Sequence, residues 1–138
     1  MIGLSDYRPI VGDDVYYEIY SKMRKLYGKR LVHVNSTFIG GGVAEILTSL
    51  APLMNDIGLI AGWRIIHGTP DFYGITKKFH NALQGDKINL SNMKKQIYLQ
   101  TNQRFASFTH LDYEDMIIIH DPQPLPLIMF EKKMQPWI

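Results

Sequence analysis

The 138-residue sequence contains no cysteine. Disulfide bonds, thiolate metal sites and cysteine nucleophiles are therefore excluded. No apolar stretch approaches the ~20 residues that a membrane-spanning helix needs. The first residues also lack the basic-then-apolar order of a signal peptide. We therefore expect a soluble, cytoplasmic protein that makes no membrane contact.

An excess of one charge is also missing. The 15 basic and 13 acidic residues are mixed along the chain and leave a formal net charge of +2, which argues against a nucleic-acid partner. The sequence has no HExxH, no Asp-rich calcium loop and no GxSxG elbow. We expect neither a bound metal nor a cofactor. Hydrophobic residues make up 46%, which suits the core of one globular domain.

Residues 30–66 follow the order strand, glycine loop, helix, strand. Arg30–Asn35 has the β-branched character of a buried strand, and residues 59–66 form a second strand that Gly62 interrupts. The helix between them is bent by Pro52 and has one apolar face, formed by Val43, Ile46, Leu47, Leu50, Met54 and Ile57. This pattern predicts a βαβ unit with parallel strands.

The remaining segments complete an α/β fold. The unbroken apolar strand Met116–Ile119 indicates a parallel sheet that is covered on both faces. We therefore expect a Rossmann-like three-layer domain with a mostly parallel sheet. The other expected elements are an irregular lead-in over 1–12, helices over 13–27, 76–84 and 91–108 (capped by Ser91), a short helix ending near Lys133, and the start of a strand at 136–138.

The loop after the first strand contains Gly40, Gly41 and Gly42. Ligands of parallel sheets bind at the carboxyl ends of the strands. Three glycines let the backbone approach a ligand closely, and the dipole of the following helix favours an anion such as a diphosphate. The alternative is a tight turn with a purely structural role.

The second candidate segment, residues 120–123, follows the strongest strand. His120 and Asp121 can hydrogen-bond sugar hydroxyls, and His120 can assist proton movement near pH 7. Pro122 restrains this loop, and Gln123 adds an amide donor and acceptor. An equally weighted alternative is a strand end at which Asp121 caps the next turn.

A third segment carries His80, Asn81 and Gln84, whose side chains suit sugar recognition. The alternative reading, which local features favour, is that His80 is an ordinary packing residue. His33 lies between two valines of the first strand and is interpreted as structural. His67 and His110 belong to no pattern.

Three motifs in this order resemble the archaeal trehalose glycosyltransferring synthases and the related trehalose phosphorylases. They are VHVNSTFIGGGVAEIL (residues 32–47), FHNALQG (79–85) and IHDPQP (119–124). The resemblance extends from about Tyr16 to the end of the chain. It implies the N-terminal half of a GT-B fold in retaining glycosyltransferase family four. The expected reaction is transfer of glucose from a nucleoside-diphosphate glucose to glucose, which gives trehalose.

The same resemblance implies roles for individual residues. Gly40, Gly41 and Gly42 match the loop that approaches the donor phosphates. His120 and Asp121 match the catalytic segment beside the transferred sugar, and Gln123 is a weaker match. His80, Asn81 and Gln84 match a motif that lines the cleft. The family's C-terminal domain, which holds the donor nucleotide, has no counterpart in residues 1–138. We therefore expect this chain to be the acceptor-side domain of a longer enzyme and to be inactive alone.

Three other interpretations stay open. The chain could be half of a trehalose phosphorylase, because the sequence does not separate a donor phosphate from a donor nucleotide. It could be a non-catalytic domain that binds a nucleotide or a sugar through the same glycine loop. It could also be a structural module that presents a partner-binding face. The sequence leaves association into homo-oligomers undecided.

Overall fold

A computed structural model describes residues 3–131 and 135–138. Its sheet consists of three parallel strands, Arg30–Asn35 (β1), Ile60–Ile65 (β2) and Met116–Ile119 (β3), in the spatial order β2-β1-β3. Val32 of β1 lies opposite Gly62 on one side and Ile117 on the other. β1 is thus the central strand of the three, and all its residues after Arg30 are buried. The predicted βαβ unit and parallel sheet are confirmed.

Helices cover both faces of the sheet. Leu4–Met23 (α1) and Gly42–Asp56 (α2) lie on one face, and Pro70–Leu83 (α3) and Asn92–Thr109 (α4) lie on the other. Successive residues of β1 alternate between the two: Leu31 packs near Met54 of α2, whereas Val32 and Val34 pack with Phe105 of α4. The predicted three-layer α/β architecture is confirmed.

The irregular lead-in expected over residues 1–12 is wrong for the described part. Helix α1 begins at Leu4 and continues past a break at Gly12, where φ is 82°. Two carboxylates stabilise its start: Asp6 accepts the Gly3 N–H, and Asp56 of α2 accepts the Leu4 N–H, both at 2.8 Å. The second contact is long-range, so local sequence pattern does not reveal it.

Three smaller expectations also need correction. Helix α3 begins six residues before the predicted Thr76, because Thr69 caps it through the Phe72 N–H and Pro70 suits the first turn. Ile46, which the apolar pattern places on the buried face of α2, is 62% exposed. Gly62 does not interrupt β2, which runs through it in register.

The end of the chain adds pairing to β3. Ile138 N–H donates to the Ile117 carbonyl at 2.9 Å, and Trp137 bridges to Ile117 in parallel. This confirms a strand start at 136–138. Before it, a 3-10 helix spans Leu125–Met129, while the expected helix end near Lys133 lies outside the described residues. Within residues 3–131 and 135–138, no helix is both long and apolar enough to cross a bilayer.

Candidate functional site at the carboxyl edge of the sheet

Two of the three candidate segments leave the sheet at the same edge. β1 and β3 are parallel neighbours with Val34 opposite Ile119. Directly after β3, the His120 N–H donates to the Val34 carbonyl at 2.9 Å. The glycine loop follows β1 and residues 120–123 follow β3. Both loops therefore start at the carboxyl edge, where parallel sheets bind ligands.

The glycine loop has a conformation that favours glycine. Gly40 and Gly41 have φ angles of 73° and 91°, values that strain other residues. A Cβ atom added to Gly40, Gly41 or Gly42 would meet no atom of residues 3–131 or 135–138 within 4 Å, so this backbone is open. Among the described residues, no side chain caps the start of α2, and Glu45 lies in its first turn. The loop has space for an anion, but the negative charge of Glu45 disfavours anion binding.

A buried amide holds the start of this loop. Asn35, the last residue of β1, is 1% exposed. Its Oδ1 accepts the Trp63 Nε1–H at 2.7 Å, and its Nδ2 donates to the Thr37 carbonyl at 2.6 Å. Because the indole nitrogen can only donate, these partners determine the orientation of the amide. Thr37 Oγ1 then donates to the Ile39 carbonyl, so hydrogen bonds fix the approach to Gly40.

His120 contacts a second histidine. Its Nε2 lies 3.0 Å from Nδ1 of His33, which is 1% exposed, and the two rings are tilted by 33°. Burial, together with the charge of His120, lowers the pKa of His33 to about 4. Burial also lowers the pKa of His120, against an opposing effect of Asp121. Both rings are therefore neutral at pH 7.

Asp121 adopts a left-handed backbone conformation with φ of 66°. A residue other than glycine adopts this conformation at a cost in free energy, which is smaller for aspartate than for most residues. Its side chain is exposed and accepts no hydrogen bond from residues 3–131 or 135–138. The alternative in which Asp121 caps the next turn therefore finds no hydrogen bond to support it. The carboxylate is free to accept bonds from a ligand.

Helix α4 anchors the rest of this loop from below. Tyr98 Oη donates to the Pro122 carbonyl, and Asn102 Nδ2 donates to the Gln123 carbonyl at 3.0 Å. Burial raises the pKa of Tyr98 to about 12, so its hydroxyl stays a donor at neutral pH. The side-chain oxygen of Gln123 is buried and has no partner among the described residues. Both contacts stiffen the loop that carries His120 and Asp121.

The third candidate segment lies at the end of α3. His80, Asn81 and Gln84 are all exposed. The preceding Phe79 packs its ring on Tyr98, with ring centres 4.8 Å apart. Among the described residues, no hydrogen bond joins these three side chains to residues 120–123. In the described part of the chain, the third segment is thus linked to residues 120–123 only indirectly, through Tyr98.

Comparison with known proteins shows the family of this chain. Residues 33–138 match the family described as "Trehalose synthase, N-terminal domain". The chain belongs to this family. A trehalose synthase from Thermococcus litoralis is 52% identical over 136 residues, as is one from Pyrococcus furiosus. One from Rubrobacter xylanophilus is 43% identical over 124 residues, which is 88% of this chain and 30% of that protein.

The chain spans only part of the length of these relatives. It is covered to 98% by the Thermococcus and Pyrococcus relatives but spans only 33% of their length. The matched region includes every site residue discussed above, since it extends from residue 33 to residue 138. The resemblance expected from the three motifs is confirmed.

Sequence reasoning missed the residues that support the site. The sequence pattern predicts only a structural role for His33 and gives no role to Asn35, Trp63 or Tyr98. One signal was available: His33 and Asn35 are polar residues on the same side of a strand that is otherwise apolar. Their partners lie 87 and 28 residues away in the chain, so the sequence alone could not name them.

Proposed function

We propose that this chain is the acceptor-side domain of a retaining glycosyltransferase that forms trehalose. The reaction moves glucose from a nucleoside-diphosphate glucose to a sugar acceptor, which we propose is glucose. The observation that carries the proposal is the common edge from which the glycine loop and residues 120–123 emerge. Membership of the trehalose synthase family supports the reaction class.

The donor diphosphate is proposed to meet the glycine loop. The open backbone of Gly40–Gly42 and the uncapped start of α2 offer N–H groups to phosphate oxygens. A helix dipole contributes only about 0.3–1 kcal/mol, and Glu45 acts against it. Residues 36–42 contain no basic side chain. We therefore propose that the rest of the longer protein supplies the cations that stabilise the leaving diphosphate.

The sugars are proposed to lie beside the loop after β3. The unpaired carboxylate of Asp121 can accept hydrogen bonds from two hydroxyls, and a neutral His120 can bond a third. Gln123 contributes an amide to the same loop. His80, Asn81 and Gln84 are exposed at the end of α3, which suits the wall of a cleft.

A complementation assay tests the proposal. The protein to be measured is this chain joined to the remaining two thirds of the Thermococcus litoralis relative, called the extended protein below. Trehalose formation is followed with glucose as acceptor and several nucleoside-diphosphate glucoses as donors. We expect turnover by the extended protein and negligible turnover by the chain alone, since one half cannot enclose the leaving group.

Other results would contradict the proposal in distinct ways. Full activity of the chain alone would refute the division into two halves. Turnover with glucose 1-phosphate but with no nucleoside-diphosphate glucose would indicate a phosphorylase. A chain that binds nucleotide sugars tightly, in an extended protein that never transfers glucose, would indicate a non-catalytic binding domain. The parent Thermococcus protein is the positive control.

A further inference from the structure

The contact between the two histidines limits where their protons can be. His33 Nδ1 and His120 Nε2 lie 3.0 Å apart. Two neutral rings at this distance share one proton, with one nitrogen as the donor and the other as the acceptor. The opposite side of His33 decides between the two arrangements, because its Nε2 lies 3.4 Å from the sulfur of Met54.

A thioether sulfur can accept a hydrogen bond but has no proton to donate. His33 therefore carries its proton on Nε2, facing Met54, and has a lone pair on Nδ1. The reverse tautomer would put two lone pairs against each other at a site that is 1% exposed. The proton between the two rings consequently belongs to Nε2 of His120, and its Nδ1 retains a lone pair.

We infer that His33 is a positioning residue that holds His120 in the Nε2–H tautomer, so that Nδ1 of His120 accepts a hydrogen bond from a sugar hydroxyl. The identity of the ligand rests on the proposed function. The tautomer itself does not, because it follows from two contacts between four atoms of the chain. Without His33, the imidazole of His120 would be able to present a donor to the same hydroxyl instead.

The surroundings keep this pair uncharged. The face of the sheet that carries His33 packs on apolar side chains of α1 (Ile19 and Met23), of α2 (Met54) and of the residue that follows α2 (Ile57). The carboxylate of Asp121, adjacent to His120, acts to raise the pKa of His120. The effect of burial is larger than that of Asp121, so the pKa of His120 is lowered, as is that of His33. An acceptor on His120 is therefore available throughout the neutral range.

Histidine ring NMR of the 15N-labelled chain at pH 7 tests the inference directly. We expect His120 as the Nε2–H tautomer and His33 likewise. Two variants separate the roles: His33→Asn can place an amide oxygen near the former Nδ1, whereas His33→Phe fills the space without an acceptor. We expect His33→Asn to preserve the His120 tautomer and His33→Phe to shift it towards Nδ1–H.

Kinetics of the extended protein supply a second readout. We expect His33→Phe to raise the KM for the acceptor sugar about tenfold and His33→Asn to restore most of that loss. An Nδ1–H tautomer of His120 in the unsubstituted chain overturns the inference, whatever the variants do. An unchanged His120 spectrum in folded His33→Phe also overturns it. If the tautomers are as expected but no glucose is transferred, the proposed function fails and the role of His33 in fixing the tautomer stands.

Discussion

Charged side chains are paired with each other at the amino edge of the sheet, whereas some polar groups at the carboxyl edge lack partners among the described residues. At the amino edge, Asp115 accepts the Arg30 N–H at 2.8 Å and lies 3.3 Å from the Lys29 ammonium. The neighbouring Glu114 lies 3.6 Å from the Arg30 guanidinium. At the carboxyl edge, the Asp121 carboxylate has no partner among the described residues, and α2 begins without a side-chain cap.

This difference separates stability from ligand binding. Charges at the amino edge satisfy each other within the chain, so a ligand would gain little there. At the carboxyl edge, strained or unpaired groups persist because buried neighbours hold them: Asn35 holds the glycine loop, and Tyr98 holds the loop of Asp121. Such groups cluster where proteins bind ligands. Matched residues at the two edges allow this difference to be tested.

The largest contrast is expected between His120, which follows the carboxyl end of β3, and His110, which precedes its amino end. His120→Asn should lower kcat/KM of the extended protein about 1,000-fold, within the range of a lost acid–base or hydrogen-bonding group. His110 also has a left-handed backbone, with φ of 53°, which asparagine tolerates. His110→Asn should leave kcat/KM unchanged. Equal losses in both variants would remove the distinction between the edges.

Stability should depend on pH through His33. Its pKa falls from 6.5 to about 4 in the folded state, so between these values the unfolded chain binds more protons. The contribution of His33 to the free energy of unfolding is therefore complete above about pH 6.5. As the pH falls towards 4, about 3 kcal/mol of it is lost. Urea unfolding of the chain across this range measures the effect, and His33→Asn should remove the part that His33 contributes.

The amino edge should respond only at lower pH. The Arg30 N–H and then Lys29 lower the pKa of Asp115 from 3.8. The contribution of Asp115 to stability is therefore present above pH 3.8 and is lost as the pH falls below that value. Asp115→Asn should leave the slope between pH 6.5 and 4 intact. A slope that vanishes in Asp115→Asn but persists in His33→Asn would contradict this assignment.

Two glycines with similar backbone strain should differ in function. Gly41 and Gly28 have φ angles of 91° and 74°, and a Cβ atom on either meets nothing within 4 Å. Alanine at each position should therefore destabilise the chain similarly, by about 1 kcal/mol. Only Gly41→Ala should also lower kcat/KM of the extended protein, about 100-fold, because it displaces the donor-binding backbone. Thermal unfolding and kinetics of both variants decide the point.

The smallest effect concerns the backbone of Asp121. Asp121→Gly removes the cost of the left-handed conformation and should stabilise the chain by up to about 1 kcal/mol. It should also weaken binding of the acceptor sugar, since the free carboxylate is lost. Asp115→Gly should instead destabilise the chain. An Asp121→Gly variant that is less stable than the parent would show that the carboxylate has a structural partner.

Much of the layered fold could be predicted. The bounds of β1 and β3, the parallel pairing and the Ser91 cap of α4 were confirmed. The misplaced helix starts have different causes. Asp56, 52 residues away, stabilises the start of α1, so no local pattern reveals it. The Thr69 cap before Pro70 is local and could have been recognised.

The sequence by itself determined the alternation of strands and helices, the glycine loop and the motifs that mark the family, because periodicity and turn chemistry act over a few residues. Only the tertiary structure decided that His33 faces His120 and that Asn35 holds the glycine loop. Pairing register sets these contacts, since the paired residues of β1 and β3 are 85 positions apart in the chain and a shift of one residue would turn His33 to the opposite face.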